Sequence, residues 1–300
     1  MPRSFISPRV IHQGSTLAIV APSGPFDTDI FRQAEARLAA RYSLRYRQDI
    51  FSKDGFSAGN DKRRIEELVQ ALHDPEVDGI LCARGGYGAT RLLDSLDLDL
   101  IRREKKSLIG FSDITALHAL WAEAGLQSFH APMMASLAKM SDDDFEDWIS
   151  VIEGSTPKAF DDLEVLVPGS ATGPLLGGNL AVLCSLLGTP HFPPIDGAIL
   201  FLEDIGEAPY RIDRMLTQLR QAGIFERIAA LVFGAFTNCD NDSSPKAIDA
   251  VLRDFSQSLS IPTASGMPHG HPPFDRRAIV LGAQASLALL FQESQAVLRF

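Results

Sequence analysis

Short apolar runs alternate with longer segments of helical periodicity through the first half of the chain. Thr16–Ala21 is an apolar run of strand length, and Asp27–Arg41 reads as a helix. Asp61–Leu72 reads as a second helix, with Asn60 placed to cap its first turn and Pro75 just beyond its end. Asp78–Ala83 and Ser107–Phe111 are further strands. Ile114, Leu117, Leu120, Trp121 and Ala124 fall on one face of a helix over Ile114–Ala124, and Gln127–His130 is a short strand. Asp142–Ile152 is an acidic helix. Strands alternating with helices predict a parallel sheet covered on both faces.

The texture changes after the turn-rich Glu153-Gly154-Ser155-Thr156-Pro157. Asn179–Leu187 reads as a helix, Ala198–Glu203 as a strand, Tyr210–Ala222 as a helix, Ala229–Phe236 as a strand and Lys246–Gln257 as a helix. Ala278–Leu281 and Leu287–Phe300 have strand and hairpin character. The expected organisation is an N-terminal α/β domain over 1–155, a crossover over 156–172 and a C-terminal mixed β/α domain over 173–300.

Three hundred residues, 45% of them hydrophobic, suit one large or two ordinary domains with a sizeable core. A net charge of −10 argues against nucleic acid or an anionic membrane as partner, while leaving room for a local basic pocket. The three cysteines, Cys82, Cys184 and Cys239, form no CxxC pair, which fits reduced thiols in a cytoplasmic protein. Cys82 and Cys184 lie in apolar runs and are expected in the core; Cys239 lies in a polar loop. Leu17–Ala21 is too short for a signal peptide or a membrane span, so export is not expected.

Candidate chemistry gathers after two of the strands. Ser112 stands where the strand Ser107–Phe111 turns into a helix. Such a corner holds a hydroxyl outward beside the N–H groups of the new helix. A serine there serves equally well as a helix N-cap. Gly110-Phe111-Ser112-Asp113-Ile114 lacks the second glycine of the Gly-x-Ser-x-Gly elbow, which argues against an α/β-hydrolase fold. Arg84-Gly85-Gly86-Tyr87-Gly88 follows another strand and lacks the Lys-Ser/Thr of a P-loop. Both segments sit at strand C-termini, where open α/β sheets bind ligands.

A serine nucleophile needs a base, and the base an orienting acid. Of the seven histidines, His269 and His271 lie in a Gly/Pro-rich loop able to hold a ring in one pose. His12 and His73 have polar, exposed surroundings, His118 lies on the helix after Ser112, and His130 and His191 precede prolines. His269 and His271 lack an evident third ligand, so no metal is expected. Glu203, Asp204 and Glu207 compete for the acid's role. Arg211 and Arg214 share a helix face and suit either salt bridges or a substrate.

Ala21-Pro22-Ser23, Arg84-Gly85-Gly86-Tyr87-Gly88, Gly110-Phe111-Ser112-Asp113-Ile114-Thr115, Gly177-Gly178-Asn179-Leu180, Leu202-Glu203-Asp204 with Tyr210-Arg211-Ile212-Asp213-Arg214, and Gly270-His271 occur in this order over nearly the whole chain. In this it resembles the LD-carboxypeptidases of serine peptidase family S66, muramoyltetrapeptide carboxypeptidases of cell-wall recycling. The resemblance implies a Rossmann-like, class I glutamine amidotransferase-like N-terminal domain and a swivelling C-terminal β/α domain. It implies Ser112 as nucleophile, His271 as base and Glu203 as its partner, with the Gly86 and Asp113 N–H groups as oxyanion hole. His269 falls where the family has an aromatic residue. Arg84, Tyr87 and Ser23 are expected to touch substrate.

The substrate so implied is a murein tetrapeptide ending in D-alanine. No cofactor is implied, and a homodimer is expected. Two rivals remain: a hydrolase like the microcin C self-immunity proteins, acting on peptidyl- or aminoacyl-adenylate analogues, and a non-catalytic ligand-binding module.

Overall fold

In the computed structural model, which describes residues 3–240, 247–274, 276–290 and 295–300, the apolar runs of the first half form strands close to their expected bounds. In chain order the elements are β1 (Thr16–Val20), α1 (Thr28–Ala39), β2 (Ser43–Arg45), α2 (Asp61–His73), β3 (Gly79–Cys82), α3 (Leu98–Glu104), β4 (Ser107–Gly110), α4 (Thr115–Glu123), β5 (Ser128–His130), α5 (Met134–Leu137) and α6 (Asp142–Ile152). There follow β6 (Glu164–Val167), β7 (Gly169–Asn179), α7 (Leu180–Ser185), β8 (Ile199–Ile205), α8 (Pro209–Gln221), β9 (Ala230–Thr237), α9 (Ala247–Gln257) and β10 (Thr263–Ser265). The last strands are β11 (Ile279–Leu281), β12 (Gln284–Leu290) and β13 (Gln295–Arg299). Lys246, expected to open α9, and residues 291–294 of the expected hairpin lie outside the described residues.

The chain divides into two compact units. The first is Phe5–Ser155 together with Arg276–Leu281; the second is Met1–Ser4, Thr156–Asp275 and Gly282–Phe300. Two departures from the expected organisation stand out. The stretch 156–172 is no mere crossover, because it supplies β6 and the start of β7 to the second sheet. Near the C-terminus, β11 returns to the first unit and pairs antiparallel with β5.

The first unit's sheet runs β11-β5-β4-β3-β1-β2, with β2, β1, β3, β4 and β5 parallel. Strand order therefore reverses between β1 and β3, and the loops after those two strands flank the crevice where doubly wound sheets bind ligands. Leu17, Ile19, Phe31, Leu38, Leu81, Ile109 and Trp148 fill the core. Each such large side chain stabilises the fold by about 1.5–3 kcal/mol when fully buried. The ends of α2 follow the sequence signals: the Asn60 side chain accepts from the Arg63 N–H, and the helix stops two residues before Pro75.

The buried face of α2 is polar, however. Arg63, Arg64 and Glu67 lie beneath the loops that follow β1 and β3. Glu67 accepts from the Ala21 N–H at 2.6 Å, and Arg63 grips both Glu67 oxygens at 3.0 Å. Arg64, wholly buried, donates to the carbonyls of Pro22 and Gly88. One helix thus ties the two loops together by hydrogen bonds to their backbones, which would otherwise be buried unsatisfied.

The second unit's sheet runs β13-β12-β7-β8-β9-β10-β6, with β7, β8, β9 and β10 parallel and the outer strands antiparallel. Leu200, Leu202, Leu216, Phe233, Ile248 and Phe255 build its core. Cys239, expected in a polar loop, is buried in this same cluster.

Candidate active site

Phe111 leaves β4 in an extended conformation (φ −155°, ψ −173°) and the chain enters helical geometry by Thr115 (φ −48°, ψ −35°). Ser112 takes the corner between them at φ +65°. This region is sparsely populated by residues with a β-carbon. Such a conformation costs on the order of 1 kcal/mol or more and persists only where its surroundings impose it.

Those surroundings are specific. Asp113, buried, accepts at its Oδ2 from the Ser23 hydroxyl at 2.6 Å and the Ala89 N–H at 2.8 Å. It therefore joins the Ser112 turn to the loops after β1 and β3. Burial pushes its carboxyl above the usual range, against the pull of these two hydrogen bonds. From below, His118 on α4 lies 2.8 Å by Nε2 from the Gly110 carbonyl and 2.8 Å by Nδ1 from Ser128 Oγ. The carbonyl can only accept, so Nε2 carries the proton and Nδ1 accepts from Ser128. Burial pushes the His118 imidazolium down to about 4, leaving a neutral ring at neutral pH.

The glycine loop lies directly on this turn. A β-carbon placed on Gly85 would stand 2.8 Å from Ser112 Cβ and 3.4 Å from the Asp113 nitrogen, so only glycine permits the approach. The Gly24 N–H donates to the Gly85 carbonyl at 2.9 Å and joins the loop after β1 to the glycine loop. Gly86 follows at φ +112°. Arg84 reaches back and donates to the Pro25 carbonyl at 2.6 Å. Tyr87 is half exposed and packs edge-on to Phe56, also exposed, with ring centroids 4.9 Å apart. Ser23 departs from expectation. It is wholly buried with its hydroxyl committed to Asp113, so it supports the turn and does not face a ligand.

In the second unit, Glu203 and His271 form a pair. Glu203 Oε2 lies 2.6 Å from His271 Nδ1, with the glutamate wholly buried and the histidine nearly so. A carboxylate on Nδ1 fixes the tautomer and leaves Nε2 as the basic nitrogen. Gly270, at φ +143°, makes this possible, because a β-carbon there would stand 3.0 Å from Glu203 Oε2. The Thr237 hydroxyl and the Phe274 N–H both donate to the His271 carbonyl, at 3.3 and 3.0 Å.

Glu203 does not end its strand as expected, since β8 continues to Ile205. The register with β9 shifts between Leu202 and Asp204, so Glu203 sits at an irregularity in the ladder. Asp204, also buried, accepts from Asn179 Nδ2, the Ala181 N–H and the Ile205 N–H, and so caps α7. Burial, and the neighbouring Glu203 charge, push it up to about 6. Glu207 caps no helix and pairs with Arg211 at 2.5 Å, while Arg214 lies over the Tyr210 ring. His269 is buried against the rings of Phe201 and Phe160, at 5.5 and 6.0 Å between centroids. It fills the slot of an aromatic side chain.

Of the expected residues, the first unit holds Ser112, Asp113, Gly86, Arg84, Tyr87 and Ser23; the second holds Glu203 and His271. The support that His118 gives the turn is not legible in the sequence, because a buried histidine looks like any other until its partners are known. Among the described residues no group of three or more His, Cys, Asp or Glu side chains is placed to hold a metal ion. No helix among them is long and apolar enough to cross a membrane.

One unit carries the strained Ser112 turn braced by a buried carboxyl and imidazole, and the other a carboxylate–imidazole pair; these are group types that serine hydrolases use. Comparison with known proteins makes this specific. Residues 17–131 match the LD-carboxypeptidase N-terminal domain and residues 172–287 the LD-carboxypeptidase C-terminal domain. The chain belongs to the S66 LD-carboxypeptidase family, whose members are serine-type carboxypeptidases. It is 34% identical to a probable murein peptide carboxypeptidase of Bacillus subtilis, over 93% of this chain and 91% of that one. The crystal structure of a muramoyltetrapeptide carboxypeptidase from Oxalobacter formigenes is similar at 30% identity and a TM-score of 0.83, covering 95% of this chain and 98% of the other. An MccF-like protein from Bacillus anthracis is similar at 25% identity and a TM-score of 0.86, covering 98% and 99%.

Proposed function

We propose that this carboxypeptidase releases the terminal D-alanine of murein tetrapeptide, cleaving the bond from the L-centre of meso-diaminopimelate or lysine to the D-residue. The carrying observation is the buried Glu203 carboxylate on His271 Nδ1, which makes Nε2 a general base. Ser112 Oγ attacks the carbonyl carbon while His271 Nε2 takes the hydroxyl proton. The Gly86 and Asp113 N–H groups hold the oxyanion of the tetrahedral intermediate. The intermediate collapses, the C–N bond breaks, and the imidazolium returns its proton to the departing amine of D-alanine. Water, deprotonated by the same imidazole, then hydrolyses the acyl-enzyme and restores Ser112. Glu203 stabilises the imidazolium in both halves of the cycle.

The strain at Ser112 and the close approach of Gly85 support this assignment of the nucleophile. Similarity to the murein-named relatives supports the substrate. Three free, buried cysteines suit a reducing compartment, and we place the activity on recycled wall fragments in the cytoplasm; cell fractionation tests this. The homodimer is carried by resemblance alone and is tested by sedimentation equilibrium. The deciding experiment incubates the protein with tetrapeptide, pentapeptide and an aminoacyl-sulfamoyl nucleoside, and identifies products by mass spectrometry. Tripeptide and D-alanine from the tetrapeptide are expected. Cleavage confined to the nucleoside would replace this reading with the self-immunity one.

A further inference from the structure

A triad and an oxyanion hole cleave an acyl bond, but they do not make a carboxypeptidase, which must also recognise a free terminal carboxylate. The nucleophile's own unit contains a cavity of about 230 Å³ beside the glycine loop. Its polar lining is Arg84, Lys139 and Asp27, and its apolar lining includes Phe26, Ile30 and Met134. Arg84 immediately precedes Gly85, the residue that lies against Ser112. The far wall is fixed to the base of the same loop, where the Ala135 N–H donates to the Ala83 carbonyl at 3.1 Å.

Acids exceed bases by ten, and many arginines pair with a carboxylate, among them Arg32 with Glu35, Arg41 with Glu153 and Arg227 with Asp196. Among the described residues neither Arg84 nor Lys139 has one. Arg84 gives one nitrogen to the Pro25 carbonyl, which orients the guanidinium and leaves its other N–H groups available. Asp27 makes no ion pair with either cation; its Oδ1 accepts from the Ile30 N–H at 2.9 Å and caps α1, leaving two positive charges against one negative in the lining. The cavity is smaller than the 300–1,000 Å³ or so of a drug-sized ligand site, and it suits one end of a peptide.

We propose that Arg84 and Lys139 bind the C-terminal carboxylate of the substrate in this cavity, with the D-alanine methyl group against Phe26, Ile30 and Met134. This rests on the peptidase reading above. It makes the two cations specificity-determining residues outside the triad and the oxyanion hole.

The test measures kcat and KM for wild type, Arg84→Met, Lys139→Met and the double variant. The substrates are a tetrapeptide ending in D-alanine, the same peptide ending in D-alaninamide, and a tetrapeptide with lysine replacing diaminopimelate. The wild type should prefer the free acid to the amide. A charge-assisted contact contributes roughly tenfold in binding. Each variant should therefore lower that preference about tenfold, mainly through KM, and the double variant should nearly abolish it. Equal losses on acid and amide would overturn the proposal. So would a loss that vanishes with the lysine peptide, since the cations would then be reading the side-chain carboxylate of diaminopimelate. A fluorophosphonate, which has no carboxylate, reports separately on Ser112. A wild type that is labelled but cleaves no peptide overturns the peptidase reading, and this proposal with it.

Discussion

His118 should make the end of β4 acid-labile. Its ring joins α4 to the end of β4 through the Gly110 carbonyl, two residues before Ser112, and to β5 through Ser128. Burial moves its pKa from 6.5 to about 4. The group's folded pKa is depressed, so the unfolded chain binds the extra proton first as pH falls. Its contribution to stability is therefore fully present above pH 6.5 and is lost on acidification towards pH 4. A displacement from 6.5 to about 4 corresponds to about 3 kcal/mol in total, of which roughly 2–3 kcal/mol is gone by pH 4.5. Other groups titrate over this range too, so the comparison is with His118→Gln, which keeps polar atoms but cannot take up a proton. Urea denaturation of both proteins at pH 7.5 and 4.5 isolates the effect. The wild type should lose roughly 2–3 kcal/mol more than the variant between the two pH values, whatever the variant costs at pH 7.5. Equal losses in the two proteins would mean that His118 contributes nothing to acid lability.

Ser112→Gly should be more stable than Ser112→Ala by about 1 kcal/mol in denaturant titrations, since glycine accepts φ +65° freely, and both should lack turnover. Equal stability would mean that the turn is unstrained. Asp113→Ala strands the buried Ser23 hydroxyl and Ala89 N–H and should cost about 2–5 kcal/mol. Asp113→Asn, whose carbonyl can accept from both donors, should recover most of that loss in the same measurement. Gly270→Ala forces a β-carbon to 3.0 Å from Glu203 Oε2 at an unfavourable φ; kcat should fall at least tenfold with KM little changed. His269→Phe should keep substantial kcat, because its ring packs against those of Phe160 and Phe201; an inactive but folded variant would reassign the base.

The sequence made the first sheet readable wherever burial is two-sided. β1, β3 and β4 are continuous apolar runs, and their helices carry caps such as Asn60. β2 was missed because Ser43-Leu44-Arg45 is a three-residue edge strand with no pattern to detect. β7 was missed because its small and glycine residues pack backbone against backbone and leave no hydrophobic signature. Charge misled in the other direction. The Glu203-Asp204 pair looked like the end of β8, yet both are buried and the strand continues past them. Arg63, Arg64 and Glu67, charged residues within a helix, form the buried mount of the loops after β1 and β3. In each case the compensating partners are distant in sequence, so burial could not be inferred locally. The pairing of His271, and not His269, with a carboxylate was legible only by resemblance; the structure supplies the reason in the glycine at 270.

Ser112, His271 and Glu203 should act as one catalytic unit. The most direct measurement is kcat for D-alanine release from the tetrapeptide by Ser112→Ala, His271→Ala, Glu203→Ala and the Glu203/His271 double variant. Folding of each is verified by its denaturation midpoint. Ser112→Ala and His271→Ala should each lose on the order of a thousandfold or more. The double variant should lose little beyond His271→Ala alone, because Glu203 acts only through the imidazole. Independent, multiplicative losses at Glu203 and His271, or near-normal release by a folded Ser112→Ala protein, would contradict it.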